Sequence, residues 1–272
     1  MGPKNEPAAG QQKPQSSSQF VTKVSALLEA LASAEEMNAT EIAGVLEEPR
    51  SSVYRLLRQL AEVGWVDQGH APGNWRLGLH LFRLSSTAVA RLDERRVARP
   101  HLERLHKLTE QTSFLCIRNG DEAICIDRIE GLRVASLALR LGGSLPLHVG
   151  AAPKTLLAFS EPEVVQSWRR HVEYSKLDQF TEATTVSVDS VLSELDEIRA
   201  QGYAISDGDV TPGIAAVGAP VFDHSGALRG AVSVSGLRGF ILGDDAEVDG
   251  TTPLEATLEA ARAVSHSLGH SG

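Results

Sequence analysis

Between Phe20 and Leu60 apolar side chains recur at helical intervals in three separate runs. Phe20, Val24, Leu27, Leu28 and Leu31 line one side of a first helix. A second starts near Asn38, where Asn-x-x-Glu ending at Glu41 has the form of a capping box, and the spacing turns Ile42, Val45 and Leu46 inward. Pro49 opens a third helix at a position where a missing amide proton costs nothing. Its inner stripe is Val53, Leu56, Leu57 and Leu60, and Gly64 ends it. The period then drops to two. Trp65–Gln68 and Asn74–Leu77 flank the tip Gly69–Gly73, which predicts a hairpin. Three helices followed by a hairpin predict a winged helix-turn-helix over residues 19–80.

The outer face of the third helix carries the first chemical signal. Arg50, Ser51, Ser52, Tyr54, Arg55 and Arg58 are basic or hydroxylic, and no carboxylate occurs from Pro49 to Ala61. A major groove admits one helix, and guanidinium and hydroxyl groups suit base edges and phosphates, so these six are candidate DNA contacts. The plain alternative is an ordinary solvated face. Arg76 on the hairpin is a further candidate for a phosphate or the minor groove, although a lone hairpin arginine is as often merely solvated.

Beyond the hairpin, residues from Leu79 to about Thr112 read as helical with an interruption at Pro100, so residues 81–98 are expected to link two domains. Residues 99–272 then mix strands and helices. Phe114–Ile117 and Ala123–Ile126 surround Asn119-Gly120-Asp121, a hairpin signal. Val134–Leu139 reads as a strand and Pro153–Ser160 as a helix. Val188, Val191, Leu192, Leu195 and Ile198 mark a helix ending at Gly202. Strands Ile214–Phe222 and Leu228–Ser235 meet at the turn Asp223–Gly226, and Thr252-Pro253-Leu254-Glu255 caps a terminal helix. The expectation is an α+β chain whose second domain is an antiparallel sheet with helices on its faces. Residues 1–18 are a mixture of Pro, Gln, Ser and Gly with no apolar face, which predicts a disordered tail.

Composition narrows the function classes. A 42% hydrophobic and 22% charged chain of 272 residues can build two ordinary cores. The net charge of −9 argues against indiscriminate coating of nucleic acid. That charge is uneven: residues 1–100 hold 12 basic and 11 acidic side chains, and residues 101–272 hold 14 and 24, so the two parts are expected to meet different partners. No run of apolar residues reaches membrane-spanning length and no secretion signal opens the chain, which predicts a soluble cytoplasmic protein with no membrane partner.

Catalytic and metal readings find little. Cys116 and Cys125 lie in apolar runs without metal-type spacing and read as packed thiols. His101 and His106 are five apart rather than four, and the aspartates of Asp207-Gly208-Asp209 have no histidine nearby and read as turn formers. Gly230 and Gly236 lack the lysine and hydroxyl residue of a phosphate loop. No catalytic residue, metal or cofactor is therefore assigned. Ser233 and Ser235, two apart on a strand, send both hydroxyls to one face, which either decorates the surface or lines a pocket.

Taken in order, several blocks resemble the IclR family of bacterial transcription regulators. Pro49-Arg50-Ser51-Ser52-Val53-Tyr54-Arg55-Leu56-Leu57 is similar to its recognition helix, and Asn74-Trp75-Arg76-Leu77-Gly78 to the return strand of its wing. Ala98–Leu105, Leu145-Pro146-Leu147-His148, Lys154–Phe159, Pro212-Gly213-Ile214, Ala219–Asp223 and Ser233–Gly236 are similar to its effector-domain signatures. The resemblance implies a dimerising DNA-binding domain on operator DNA and a GAF-like domain that binds a small organic effector and often pairs dimers into tetramers. It implies an effector pocket lined by Ala151, Ala152, Ser206, Asp207, Ala216, Ser233 and Ser235. Four positions depart from the family pattern: Ala216 where a cysteine is common, Ser206 where an acid is frequent, Pro153 for a glycine, and Glu47-Glu48 for a glycine and an apolar residue. Small apolar walls and two hydroxyls predict an uncharged or weakly anionic effector with substantial apolar surface.

Overall fold

The computed structural model describes residues 15–89, 92–132, 139–243, 246–247 and 250–271. Contacts divide the chain into two compact units, residues 1–91 and 92–272.

The first unit is built on helices α1 (Gln15–Ala32), α2 (Ala39–Leu46) and α3 (Arg50–Glu62), a short strand β1 (Met37–Asn38) and the hairpin strands β2 (Val66–Gln68) and β3 (Asn74–Leu77). Helix α1 includes residues 15–18, which the composition had placed in the tail. The rest of that predicted tail, residues 1–14, lies outside the described residues. The expected capping box is present: the Asn38 side chain accepts from the amides of Thr40 and Glu41 at 2.9 and 3.1 Å, and Glu41 accepts from the Asn38 amide at 2.8 Å. Each such cap contributes about 1 kcal/mol. The three strands pair antiparallel in the order β1-β3-β2.

The core of this unit gathers Leu27, Leu31, Ile42, Val53, Leu57, Val66 and Trp75, all under 5% exposed. Two side chains expected inside are not. Phe20 is 49% and Val45 62% exposed. Helix α2 packs through Ala39, Ile42, Ala43 and Leu46, and Val45 lies on the exposed side of the helix. The turn into α3 carries its own strain. Glu47 is the C-cap of α2 at φ 53°, a left-handed conformation that β-carbon-bearing residues resist. Glu48 is held by Lys23 at 2.6 Å.

The predicted single long helix is two. Helix α4 (Leu79–Val89) belongs to the first unit and α5 (Asp93–Thr109) to the second. Pro100 lies inside α5 without ending it, because Ala98, Leu102 and Leu105 are buried and hold the helix on both sides of the missing hydrogen bond. Packing overrides local propensity here.

The second unit is a six-stranded antiparallel sheet. Its strands are β4 (Thr112–Asn119), β5 (Glu122–Ile129), β6 (Ser144–Pro146), β7 (Ala204–Asp207), β8 (Ile214–Phe222) and β9 (Leu228–Leu237), in the order β6-β5-β4-β9-β8-β7. Both faces are covered. Alternate residues Leu115, Val217, Val232 and Val234 pack under α5 and α10 (Pro253–Ser267). Their neighbours Phe114, Cys116, Cys125 and Ala231 face α6 (Ala151–Ala158), α7 (Pro162–Tyr174) and α8 (Val188–Gln201), where Leu156, Trp168 and Leu195 complete the core. Helix α6 starts two residues before the position the sequence suggests, and α7, with its buried Trp168, is an addition to the elements read from the pattern. The strand expected at Val134–Leu139 falls at residues 134–138 outside the described residues.

Replacing Glu47 by Gly removes a left-handed penalty of about 1–2 kcal/mol and adds about 0.5–1 kcal/mol of unfolded-state entropy. Chemical denaturation of Glu47→Gly should show a gain of up to about 1 kcal/mol, and a loss would mean the turn is not strained.

Candidate functional site

Two places bring the sequence candidates together, one in each unit. In the first, Val53, Leu56, Leu57 and Leu60 are buried, which fixes the rotation of α3. Arg50, Ser51, Tyr54, Arg55 and Arg58 are accordingly exposed, and Ser52 is partly covered. Tyr54 joins the helix to the wing: its ring meets Trp75 edge-on at 6.2 Å, and the Arg58 guanidinium lies 5.1 Å from its centroid. Trp75 is 4% exposed and sits on β3 beside Arg76. Arg76 itself is half-buried and approaches the His70 ring at 3.4 Å.

The wing tip is tied down by one carboxylate that sequence reasoning missed. Glu36 accepts from the Asn74 side chain at 2.9 Å and from the His70 amide at 2.6 Å. The Asn74 hydrogen bond, then that of His70, hold its pKa below the ordinary 4.5. Spacing alone gave no signal, since these partners are more than thirty residues away.

In the second unit, Ala151, Ala152, Ser206, Ala216, Ser233 and Ser235 line one small cavity of about 50 Å³, together with Phe114, Leu145 and Ile214. Sheet register explains the grouping. Ser235 lies opposite Ala216, Ser233 opposite Gly218 and Phe114, and Ser206 opposite Ala216, so all of these point to the α6 side. Helix α6 closes the cavity because Gly218 lets it approach: a β-carbon there would stand 2.8 Å from the Ala151 carbonyl carbon. Asp207 is not in the cavity. Alternation turns it to the other side of β7, where it is exposed and pairs with Arg238 at 2.8 Å.

The charged groups near the cavity, Asp209 and Lys154, lie behind its lining. The buried Asp209 accepts from the Gly150 amide at 3.0 Å and from the Ser206 hydroxyl. Lys154, 5% exposed, lies 3.3 Å from Asp209 and 2.7 Å from Glu194. A lysine in the apolar run Ala-Ala-Pro-Lys-Thr-Leu-Leu-Ala was the available signal, since a buried ammonium requires a counter-charge. The cavity's lining itself is uncharged. Two of its hydroxyl protons are engaged: Ser206 donates to Asp209, and Ser233 donates to the Val217 carbonyl at 2.7 Å. Both oxygens therefore present lone pairs. Behind the wall, Arg128 stacks 5.5 Å from Phe114 and donates to the Leu139 carbonyl at 3.0 Å.

The two thiols face each other across β4 and β5 and are both fully buried. Sharing a hydrogen bond with Cys125, and burial, push the Cys116 thiol well above its usual range. That disfavours the thiolate a nucleophile needs. Among the described residues no three His, Cys, Asp or Glu side chains converge as a metal site, and no helix is long and apolar enough to cross a membrane.

A helix-turn-helix with a wing, joined in one chain to a domain enclosing a small cavity, is the architecture of a ligand-responsive DNA-binding regulator. Comparison with known proteins gives the family. Residues 21–70 match the IclR helix-turn-helix domain, and residues 86–266 match the domain described as bacterial transcriptional regulator IclR C-terminal. The chain belongs to the IclR family of bacterial transcriptional regulators, a family of DNA-binding regulators rather than enzymes. Among its relatives is the HTH-type transcriptional regulator XynR of Escherichia coli, 32% identical over 237 residues, which are 87% of this chain and 91% of XynR. The crystal structure of an IclR-type regulator from Alicyclobacillus acidocaldarius superposes with a TM-score of 0.74 at 25% identity, covering 92% of this chain and 99% of that one. An IclR homologue from Microbacterium hydrocarbonoxydans, crystallised in complex with 4-hydroxybenzoate, gives a TM-score of 0.73 at 23% identity over 92% and 99% of the two chains.

Two outcomes follow from this geometry. Gly218→Ala should cost about 1–3 kcal/mol, as overpacking does, and lower the melting temperature by several degrees. An unchanged melting temperature would mean that α6 is free to retreat. For Glu36, whose folded pKa is depressed, the wing anchor is complete above pH 4.5 and is lost as pH falls through the lower folded value. The amide chemical shift of His70 should report that transition, and a shift independent of pH would refute the anchor.

Proposed function

We propose that α3 is the recognition helix, laid in the major groove of operator DNA, and that the cavity between α6 and the sheet receives the effector. The observation that carries the first part is the outward face of α3. Arg50, Ser51, Ser52, Tyr54, Arg55 and Arg58 offer donors to phosphates and base edges, with no acid from Pro49 to Ala61 to repel them. The positive end of the α3 dipole adds to the attraction for phosphate. Arg76 serves the flanking backbone from the wing.

The regulator works as a homodimer that can pair further into tetramers, in the cytoplasm of a bacterium. Phe20 and Val21 on α1 and Leu79, Phe82 and Leu84 on α4 are exposed apolar side chains that suit pairing with a second copy. A two-fold dimer presents two recognition helices to a pseudo-palindromic site with half-sites about 34 Å apart or a multiple of that. The effector acts by binding one arrangement of the dimer more tightly than the other, since equal affinity shifts nothing. The chain between the two domains, residues 81–98, carries that preference.

The lining of the cavity selects the effector's chemistry. Ser206 and Ser233 offer acceptors to the ligand, while the Ser235 and Thr211 hydroxyls can also donate, which suits a hydroxyl or amide group. Phe114, Leu145 and Ile214 cover its apolar body. With no cation in the lining, the ligand is uncharged or weakly anionic, and a cavity of about 50 Å³ keeps it compact. Asp207 has no part in this contact.

The direct test is fluorescence anisotropy on an operator duplex selected from a random pool. Arg55→Ala and Arg58→Ala should each weaken binding by about 1–3 kcal/mol. Unchanged affinity in the double variant overturns the recognition-helix assignment. For the cavity, a thermal-shift screen of neutral hydroxyl and amide compounds should find stabilising ligands. Stabilisation only by small, highly charged acids would overturn the proposed effector class.

A further inference from the structure

Strand β7 pairs with β8 only from Ala215 to Gly218, so the β8 edge from Ala219 to Phe222 runs on past it. A cleft of about 510 Å³ opens there, bounded by the C-cap of α6, the end of β8 and the last turns of α10. That volume lies within the range of small-molecule sites, about 300–1,000 Å³, and is far larger than the effector cavity. None of the positions compared with the family's effector pocket lines it.

The cleft has an aromatic wall and a cationic rim. Phe159 and Phe222 meet edge-to-face at 5.9 Å, and the His270 ring lies 5.5 Å from Phe222. Pro220 and Leu258 extend the apolar surface. Rings so arranged accept a further ring edge-on or offset. The charged and titratable side chains of the lining are Arg262, His266 and His270, with no carboxylate among them, although residues 101–272 carry a ten-charge acidic excess. Arg262 is exposed and makes no ion pair or hydrogen bond within the described residues. The end of α10 does not oppose an anion strongly either. The carbonyls of Val264, Ser265 and His266 already accept from the amides of Leu268, His270 and Gly269. His270 has its Nδ1 committed to the Asp223 carbonyl at 3.0 Å, which leaves Nε2 for the cleft.

We propose that this cleft is a second small-molecule site, which takes an aromatic carboxylate with its rings against Phe159 and Phe222 and its carboxylate on Arg262. The two sites share elements. Helix α6 places Ala151 and Ala152 in the effector cavity and Phe159 in the cleft, and β8 contributes Ala216 to one and Pro220 to the other.

The test uses the full chain and 1-naphthoate, whose fluorescence reports binding directly. One naphthoate should bind per protomer, and the neutral 1-naphthalenemethanol should bind at least about tenfold more weakly, the scale of one charged hydrogen bond. Arg262→Gln, an exposed position that leaves the fold intact, should lower naphthoate affinity by a similar factor. Ala216→Leu, which fills the effector cavity, should leave it unchanged. Equal affinity of acid and alcohol, or of Arg262→Gln and the parent protein, overturns the proposal. So does loss of binding in Ala216→Leu, which would put the probe in the effector cavity. Dissociation of the assembly by Arg262→Glu in analytical ultracentrifugation also overturns it, because the cleft would then be covered by a second copy of the chain.

Discussion

Burying Val53, Leu56, Leu57 and Leu60 against Leu27, Leu31, Ile42 and Trp75 is the constraint on which the DNA-binding unit depends. A helix of thirteen residues has one rotation that hides this stripe, and that rotation turns every arginine of α3 to solvent. At about 1.5–3 kcal/mol per buried aliphatic side chain, the alternative of hiding the basic face and exposing the stripe is out of reach. The charge pattern therefore has no part in choosing the fold. The hydrophobic stripe chooses it, and the cationic surface is what remains outside. Trp75 and Tyr54 extend the same constraint to the wing, so that helix and hairpin form one surface.

The second unit solves a different problem, which is to leave a small space inside a close-packed sandwich. Period-two alternation puts Ser206, Ala216, Ser233 and Ser235 on the α6 side of the sheet, and their small side chains leave the gap. Gly218 sets how near α6 comes, and Asp209 fixes where its first turn sits through the Gly150 amide. Lys154 balances the buried carboxylate from the far side and is shared with Glu194. Removing Lys154 alone would strand two acids, one of them buried, which is costly in a way that replacing the whole cluster is not. The cavity is thus uncharged at its surface and charged one layer behind.

Much of this was legible from the chain. Local periodicity is enough for α3, the wing and the β8–β9 hairpin, because each element's partner is close in sequence or its pattern is strong. The Asn38 capping box and the Thr252 cap of α10 were readable for the same reason. What failed depended on distant partners. Val45 fits a helical stripe but stays exposed, since α2 is short and packs through its other side. Pro100 reads as a break, yet α5 continues because the sheet holds it. Phe159 and Phe222 lie sixty-three positions apart, so nothing local pairs them across the cleft. Asp207 and Asp209 show both cases: the family resemblance grouped Asp207 with Ser206, whereas strand alternation separates them, and only the return of β7 against α6 reveals the role of Asp209.

Entry of the outward face of α3 into the major groove is open to a direct chemical test. Both native cysteines are buried, so a single engineered thiol can be read cleanly. Ser51→Cys should form a disulfide with an operator duplex that carries a thiol tethered to a cytosine in the major groove, whereas Glu62→Cys, at the far end of the helix, should not. Cross-linking that is absent at position 51, while the variant still binds the operator, would contradict the claim.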